Sequence, residues 1–78
     1  MVVLKQMLTE IARAVVDKPD DVTVLQTETD DEILLVLSVA PDDMGKVIGK
    51  HGRIAKAIRT LMKSAANTLS KRVTVEIR

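Results

Sequence analysis

The 78-residue chain contains no cysteine, phenylalanine, tyrosine or tryptophan. The lack of cysteine excludes disulfides, Cys-based zinc sites, iron–sulfur clusters and thiol catalysis. The lack of phenylalanine, tyrosine and tryptophan means that the core must be built from aliphatic side chains and methionine, and that none of these aromatic side chains offers a platform for stacking a nucleic-acid base. This second absence argues against an RRM, which stacks bases on aromatic residues of its sheet.

Long apolar runs are also missing. The longest lies between Ile33 and Val39 and is interrupted by Ser38, far short of the roughly 20 residues of a membrane span. The polar residue Gln6 interrupts the apolar N-terminus, which is not typical of a signal peptide. We therefore expect a cytoplasmic protein that does not bind a membrane.

The length predicts a single domain covering residues 1–78. A chain of this size buries only roughly 60% of its unfolded surface, so a second chain is expected to add burial. Its single histidine and lack of cysteine leave too few ligands for a metal site. We expect no metal and no cofactor.

Charge is divided unevenly along the chain although the net charge is only +1. Residues 1–45 carry three basic and ten acidic side chains, a net charge of −7, whereas residues 46–78 carry nine basic and one acidic, a net charge of +8. A basic half is typical of a face that binds a polyanion such as nucleic acid, although a solvated basic helix would give the same count.

The spacing of apolar residues predicts an α+β fold with the element order α-β-β-α-α-β. The inner face of the first helix is predicted to comprise Leu4, Met7, Leu8, Ile11, Ala14 and Val15. Pro19 follows this helix and cannot continue its hydrogen bonds. Residues 22–28 and 33–40 predict two strands joined as a hairpin, and the second is expected in the interior because nearly every position is apolar.

The C-terminal half predicts two helices and a strand. A short helix is expected from Asp42 to Ile48, followed by a longer one after Gly52. The inner face of the longer helix is predicted to comprise Ile54, Ile58, Leu61, Met62 and Ala65. Its opposite face carries the basic residues Arg53, Lys56, Arg59 and Lys63. Val73, Val75 and Ile77 alternate with polar residues, which predicts a half-buried strand.

The stretch from Lys46 to Ile54 carries the strongest functional signal. Gly49 and Gly52 stand in a turn between two predicted helices, where the absence of a Cβ allows another backbone to approach closely. The N-terminus of the following helix directs unpaired N–H groups and a partial positive charge to the same place. Side-chain donors come from Lys50, His51 and Arg53. Together these features outline a phosphate site, with Val47, Ile48 and Ile54 as an apolar floor for unstacked bases.

Other phosphate-binding motifs do not fit this spacing. A Walker A loop needs four residues between its glycines and a Ser or Thr after the lysine, whereas Gly45 and Gly49 are separated by three and Lys50 is followed by His51. A Rossmann fingerprint needs Gly-x-Gly-x-x-Gly after a strand, and the first Gly-x-Gly is missing. Both nucleotide-binding loops are therefore excluded.

The segment Ile48-Gly49-Lys50-His51-Gly52-Arg53-Ile54 resembles the signature of the KH domain, Ile-Gly-x-x-Gly followed closely by Ile or Leu between two helices. The element order is similar to the type II KH fold over essentially the whole chain. This resemblance implies a three-stranded mixed sheet with helices packed on one face. The two later strands would be parallel, and the hairpin would add an antiparallel edge.

A free-standing KH domain of this size is similar to the bacterial KhpA family of RNA-binding proteins. The resemblance implies an RNA chaperone or post-transcriptional regulator that forms homodimers, or a complex with a second KH protein (KhpB), and acts in cell-wall growth and cell-length control. It also implies that residues 49–52 clamp about four nucleotides of single-stranded RNA. The predicted RNA-binding residues are Lys46, Val47, Ile48, Gly49, Lys50, His51, Gly52, Arg53, Ile54 and Lys56.

Two questions stay open at this point. The basic stripe beyond Lys56 is either an RNA track or a solvated face. The alternative function is a protein-interaction or dimerisation module with incidental RNA contact, since Leu34 and Val36 leave an apolar strand surface. An enzyme with a small-molecule substrate is not expected, because no nucleophile constellation is visible.

Two features predict that one copy binds RNA weakly. Acidic residues 30–32 occupy the hairpin turn, the place we assign to the family's variable loop, where they would repel phosphate. The lack of aromatic residues removes base stacking. We expect an affinity on the order of micromolar or weaker for one copy, raised by avidity in a dimer or complex.

Overall fold

The computed structural model describes residues 4–78, apart from the side chains of Lys50 and Thr68. The elements are α1 (Leu4–Val15), β1 (Thr23–Glu28), β2 (Glu32–Ser38), α2 (Met44–Ile48), α3 (Arg53–Ala66) and β3 (Arg72–Ile77). Short 3-10 turns occupy Pro19–Asp21, Pro41–Asp43, Lys50–Gly52 and Asn67–Leu69. The predicted α+β class and the order α-β-β-α-α-β are therefore confirmed.

The three strands form one mixed sheet in the order β1-β2-β3. β1 pairs antiparallel with β2, with Leu25 opposite Val36, and β2 pairs parallel with β3, with Leu35 opposite Val75. The central position of β2 explains its continuous apolar sequence. Alternate β2 side chains are buried against the helices, whereas Leu34 and Val36 are half-buried on the opposite face.

The core lies between the inner face of the sheet and the helices α1 and α3. Seven large apolar side chains in this core are at most 2% exposed: Leu8, Ile33, Leu35, Leu37, Val47, Ile58 and Met62. The final strand follows its predicted alternation, since Val73 and Val75 are buried between exposed neighbours. Among the described helices, none combines the length and apolar character needed to cross a membrane.

Two residues assigned to inner helix faces are exposed, and Val15, also assigned to one, is half-buried outside the core cluster. Ala14 is exposed, and α1 instead buries Ala12, with Val16 buried just beyond its end. Residues two apart on a helix point about 200° away from each other, so Ala14 cannot share that stripe. Leu61 is 47% exposed because α3 buries Met62, one position further on.

Two predicted element boundaries also differ from the structure. The helix predicted to begin at Asp42 begins at Met44, and the residues before it form the 3-10 turn opened by Pro41. The strand predicted to reach Ala40 ends at Ser38. Val39 and Ala40 are nevertheless buried, and their apolar character therefore reflects core packing rather than strand pairing.

Candidate functional site

The glycine loop, residues 49–52, connects α2 to α3 through a sharp turn. Gly49 has φ of 68°, His51 has φ of 59° and Gly52 has φ of 70°. Positive φ is readily adopted by glycine and costs other residues free energy. The Gly49 N–H donates to the Gly45 carbonyl at 2.8 Å, which ends α2 at the loop.

The two glycines serve different purposes in this turn. A Cβ added to Gly49 would lie 3.0 Å from Cγ1 of Ile54, so this position requires glycine for packing as well as for φ. A Cβ added to Gly52 would meet no heavy atom within 4 Å. Gly52 therefore leaves open space outside the loop, and only its left-handed conformation favours glycine there.

The N-terminus of α3 faces this open space. Gly52 is the N-cap residue and provides no side-chain hydrogen bond, and the first turn contains no acidic residue. The first N–H groups of a helix have no partner within the helix and carry part of the positive end of its dipole. In this fourteen-residue helix, that end is available to an anion.

Several predicted binding residues are exposed around the loop. His51 and Arg53 are exposed, as is Lys56, one helical turn after Arg53. Ile48 is 42% exposed and provides an apolar surface directly before the loop. The predicted contribution of the Lys50 side chain lies outside the described part of the chain, although the Lys50 backbone belongs to the turn.

Two residues of the predicted apolar floor are not exposed, and a third predicted binding residue, Lys46, is engaged in an ion pair. The side chain of Val47 has 0% exposure and packs α2 against the core. Its assignment to an RNA-facing surface was therefore wrong. Ile54 is half-buried and packs under Gly49. Lys46 is exposed, but its ammonium group forms an ion pair with Asp17. Its pKa is raised, chiefly by this hydrogen bond.

A groove between α3 and β3 extends the basic surface away from the loop. It has a volume of about 230 Å³ and is lined by Arg59, Lys63 and residues 72–75. Nε of Arg59 donates to the Val75 carbonyl at 3.3 Å, which holds this guanidinium over the edge strand. The sequence predictions placed Arg59 and Lys63 on a basic stripe but missed Arg72. No local signal marks Arg72, because it lines the groove only once β3 packs beside α3.

The acidic hairpin turn lies at the other end of this groove from the glycine loop. The Arg72 N–H donates to the Asp31 carbonyl at 2.9 Å, so the turn lies beside the start of β3 and near the end of α3. The length of α3 places it roughly 20 Å from the glycine loop. Lys71 pairs with Glu28 at this end. The hydrogen bond and positive charge of Lys71 lower the pKa of Glu28.

Comparisons with known proteins identify relatives along almost the whole chain. The KhpA/KhpB KH-domain model matches residues 5–77. The chain is 58% identical over 74 residues to the RNA-binding protein KhpA of Clostridium acetobutylicum, covering 95% of this chain and 99% of that protein. It is 56% identical over 72 residues to the RNA-binding protein KhpA of Caldanaerobacter subterraneus, covering 92% and 96% of the two chains.

A more distant KhpA relative and a solved structure with a similar fold also match almost the whole chain. The RNA-binding protein KhpA of Treponema pallidum is 47% identical over 73 residues, covering 94% of this chain and 91% of that protein. The crystal structure of Aquifex aeolicus Era matches with a TM-score of 0.68 and 19% identity, covering 95% of this chain but only 29% of the Era chain. At that identity, the likeness to Era shows a shared fold alone.

Proposed function

The chain belongs to the KhpA/KhpB family of KH domains, as its sequence resemblance predicted, and on that premise we propose that it is a non-enzymatic protein that binds single-stranded RNA. The observation that carries this proposal is the glycine loop. Gly49 and Gly52 form the turn with positive φ, and the N-terminus of α3 that follows has no side-chain cap and has open space beside Gly52. A backbone phosphate fits such a position because N–H groups and the helix dipole both favour an anion.

The surrounding side chains supply the remaining contacts in this proposal. His51 and Arg53 are exposed beside the loop and would contact phosphates together with Lys50 and Lys56. Ile48 would support a base, with the half-buried Ile54 fixing the loop beneath it. Bases leaving the loop would enter the groove between α3 and β3. The loop would thus hold about four nucleotides by their backbone.

The affinity of one copy is expected to be on the order of micromolar or weaker. The chain has no aromatic side chain, so binding depends on charge, backbone hydrogen bonds and aliphatic contacts, without the stacking of roughly 1–3 kcal/mol per base found elsewhere. A homodimer, or a complex with a KhpB-like partner, would raise the affinity through avidity.

The cellular part of the proposal rests on the family resemblance. We propose a cytoplasmic RNA chaperone or post-transcriptional regulator that acts with a second KH protein in cell-wall growth and cell-length control. Pull-down of a KhpB-like protein from the native host by the tagged chain, and a change of cell length on deletion, are the expected results. An unchanged length and no KH protein among the partners would contradict this part only.

The direct test is fluorescence anisotropy of labelled mixed-sequence single-stranded RNA. Lys50→Asp/His51→Asp should abolish binding, because two acidic side chains at the loop would repel the phosphate. Circular dichroism should show that the variant still folds. Lys5→Asp/Gln6→Asp is the matched control, since it introduces the same charge change at exposed positions in the first turn of α1.

The three outcomes distinguish the glycine loop, another RNA-binding surface and the absence of RNA binding. Binding by the wild type and the α1 variant, but not by the loop variant, supports the glycine loop as the RNA site. Equal binding by all three proteins would assign RNA to another basic surface. No binding by any of them would refute the RNA proposal and favour the second candidate function.

That second candidate is a protein-interaction module that associates with a second copy of this chain. The helix-free face of the sheet favours it, because Leu25 is 68% exposed and pairs with Val36 across the two strands. Apolar association would survive added salt, whereas RNA binding through cations would weaken. Sedimentation analysis should show dimers that Leu25→Thr disrupts. A Leu25→Thr variant with unchanged association would exclude this face.

A further inference from the structure

Lys46 and Asp17 connect α2, the helix that leads into the glycine loop, to the end of the first helix. Nζ of Lys46 forms an ion pair with Oδ2 of Asp17, and both side chains are substantially exposed. Lys46 lies on α2 three positions before Gly49. Residues three apart lie on the same side of a helix, so the ammonium group can reach the loop side of α2.

A buried carboxylate holds the Asp17 member of this pair in place. Asp43 is 1% exposed and precedes α2 directly, three positions before Lys46. Its Oδ1 accepts the Asp17 N–H at 3.1 Å, and its Oδ2 accepts the Lys18 N–H at 3.0 Å. The backbone of Asp17 is therefore fixed to the start of the helix that carries Lys46, which reduces the entropy lost on forming the ion pair.

We propose that Asp17 sets the affinity of the glycine-loop site by occupying the ammonium group of Lys46 and competing with RNA phosphate for it. The inference rests on the proposed RNA-binding function and adds a residue to it. Lys46 is an RNA contact only when it leaves Asp17. Asp17 is a positioning residue in this arrangement, because it acts through Lys46 and touches no nucleotide.

The expected size of the effect follows from the exposure of the pair. Exposed ion pairs are weak, and releasing one is expected to increase RNA affinity about two- to fivefold. Each additional cation that neutralises a phosphate of a single strand steepens the plot of log affinity against log salt by about 0.7. Removing Asp17 should therefore change both the affinity and its salt dependence.

Four variants test this inference by anisotropy at several salt concentrations. Asp17→Asn releases Lys46 while keeping a side chain of similar size. Asp21→Asn is the matched control, because it removes the same charge from an exposed residue whose side chain makes no ion pair with any of the described side chains. Lys46→Gln is measured alone and together with Asp17→Asn.

The inference predicts a specific non-additive pattern. Asp17→Asn should bind RNA about two- to fivefold more tightly than Asp21→Asn, with the steeper salt dependence. Lys46→Gln should weaken RNA binding more in the Asp17→Asn background than in the wild type, and in that background it should remove the gain. Circular dichroism should show equal folding of all variants.

Two results would overturn it. Equal affinities of Asp17→Asn and Asp21→Asn would show a general charge effect, and a gain that persists without Lys46 would show that Asp17 acts on another group. Either result leaves the proposed RNA function intact. Absence of RNA binding by the wild type and all variants would refute the proposed function and this inference together.

Discussion

The side chain of Ile54 packs directly against the α-carbon of Gly49, so that a Cβ at residue 49 would lie 3.0 Å from Ile54 Cγ1. Ile54 belongs to the first turn of α3 and Gly49 follows α2. The contact therefore fixes the angle at which the two helices meet and holds the N-terminus of α3 next to the loop. The motif's second isoleucine is thus principally a support for the turn.

This contact predicts that alanine is tolerated differently at the two loop glycines. Gly49 has φ of 68° and ψ of 179°, a region occupied almost only by glycine, and lacks space for a Cβ. Gly49→Ala should cost about 2–3 kcal/mol of unfolding free energy. Gly52 has the milder left-handed conformation and open surroundings, and Gly52→Ala should cost about 1 kcal/mol.

Urea unfolding followed by circular dichroism measures both values. Gly45→Ala is the control, since Gly45 lies within α2, where alanine is favoured and its Cβ would meet no heavy atom within 4 Å. Equal losses at Gly49 and Gly52 would show that Ile54 moves aside readily and does not restrict the loop.

The glycine loop and the element order were predictable because they depend on local sequence. Two glycines between amphipathic stretches define the turn, and the alternation around Val73 and Val75 defines the last strand. The side on which Val47 lies was not predictable, because α2 has only five residues and too few turns to show a periodicity. Only the packing of α2 against the core buries this side chain.

The buried carboxylate of Asp43 was also not predictable. In the sequence it belongs to Pro41-Asp42-Asp43, which resembles an ordinary solvated turn. Its carboxylate is held by hydrogen bonds from the N–H groups of Asp17 and Lys18, which lie 26 and 25 positions earlier in the chain. The groove beside α3 has a similar origin, because Arg72 and Lys63 line the same groove only when β3 packs next to the helix. Contacts between distant segments determine both features.

The groove predicts that RNA extends along α3 beyond the loop. Lys63→Gln removes a cation from the groove wall and should weaken RNA binding. It should also reduce the slope of log affinity against log salt by about 0.7. Anisotropy over a salt series measures both quantities. Lys5→Gln is the control, because it removes the charge of an exposed lysine on α1, away from the groove. If both variants bind like the wild type, the stripe beyond Lys56 is a solvated face.

Asp43 predicts a large difference in stability between two adjacent acidic residues. Asp43→Ala removes the acceptor of two backbone N–H groups, which should cost about 2–4 kcal/mol of unfolding free energy. Asp43→Asn retains one acceptor oxygen and should cost less. Asp42 is exposed and pairs with Lys18 at 3.0 Å, so Asp42→Ala should cost less than about 1 kcal/mol. Urea unfolding that ranks these two alanine variants equally would exclude a structural role for the buried carboxylate.

The ion pair between Glu28 and Lys71 predicts that the pKa of Glu28 changes when Lys71 is replaced. Nζ of Lys71 bonds to the Glu28 carboxylate and, at 3.1 Å, to the Thr29 carbonyl. The Lys71 hydrogen bond and charge lower the pKa of Glu28. Lys71→Met should therefore raise that pKa, as measured by NMR titration of the Glu28 carboxyl carbon.

The direction of the shift determines how the pair affects stability. A carboxyl group with a lower pKa in the folded state stabilises the fold above its unfolded pKa, and this contribution is lost as pH falls through the folded value. The stability difference between wild type and Lys71→Met should therefore be larger at neutral pH than in acid. Lys63→Met, which removes a lysine outside this pair, should leave the pKa of Glu28 in place. A Glu28 pKa that is the same in wild type and Lys71→Met would show that the ion pair does not persist in solution.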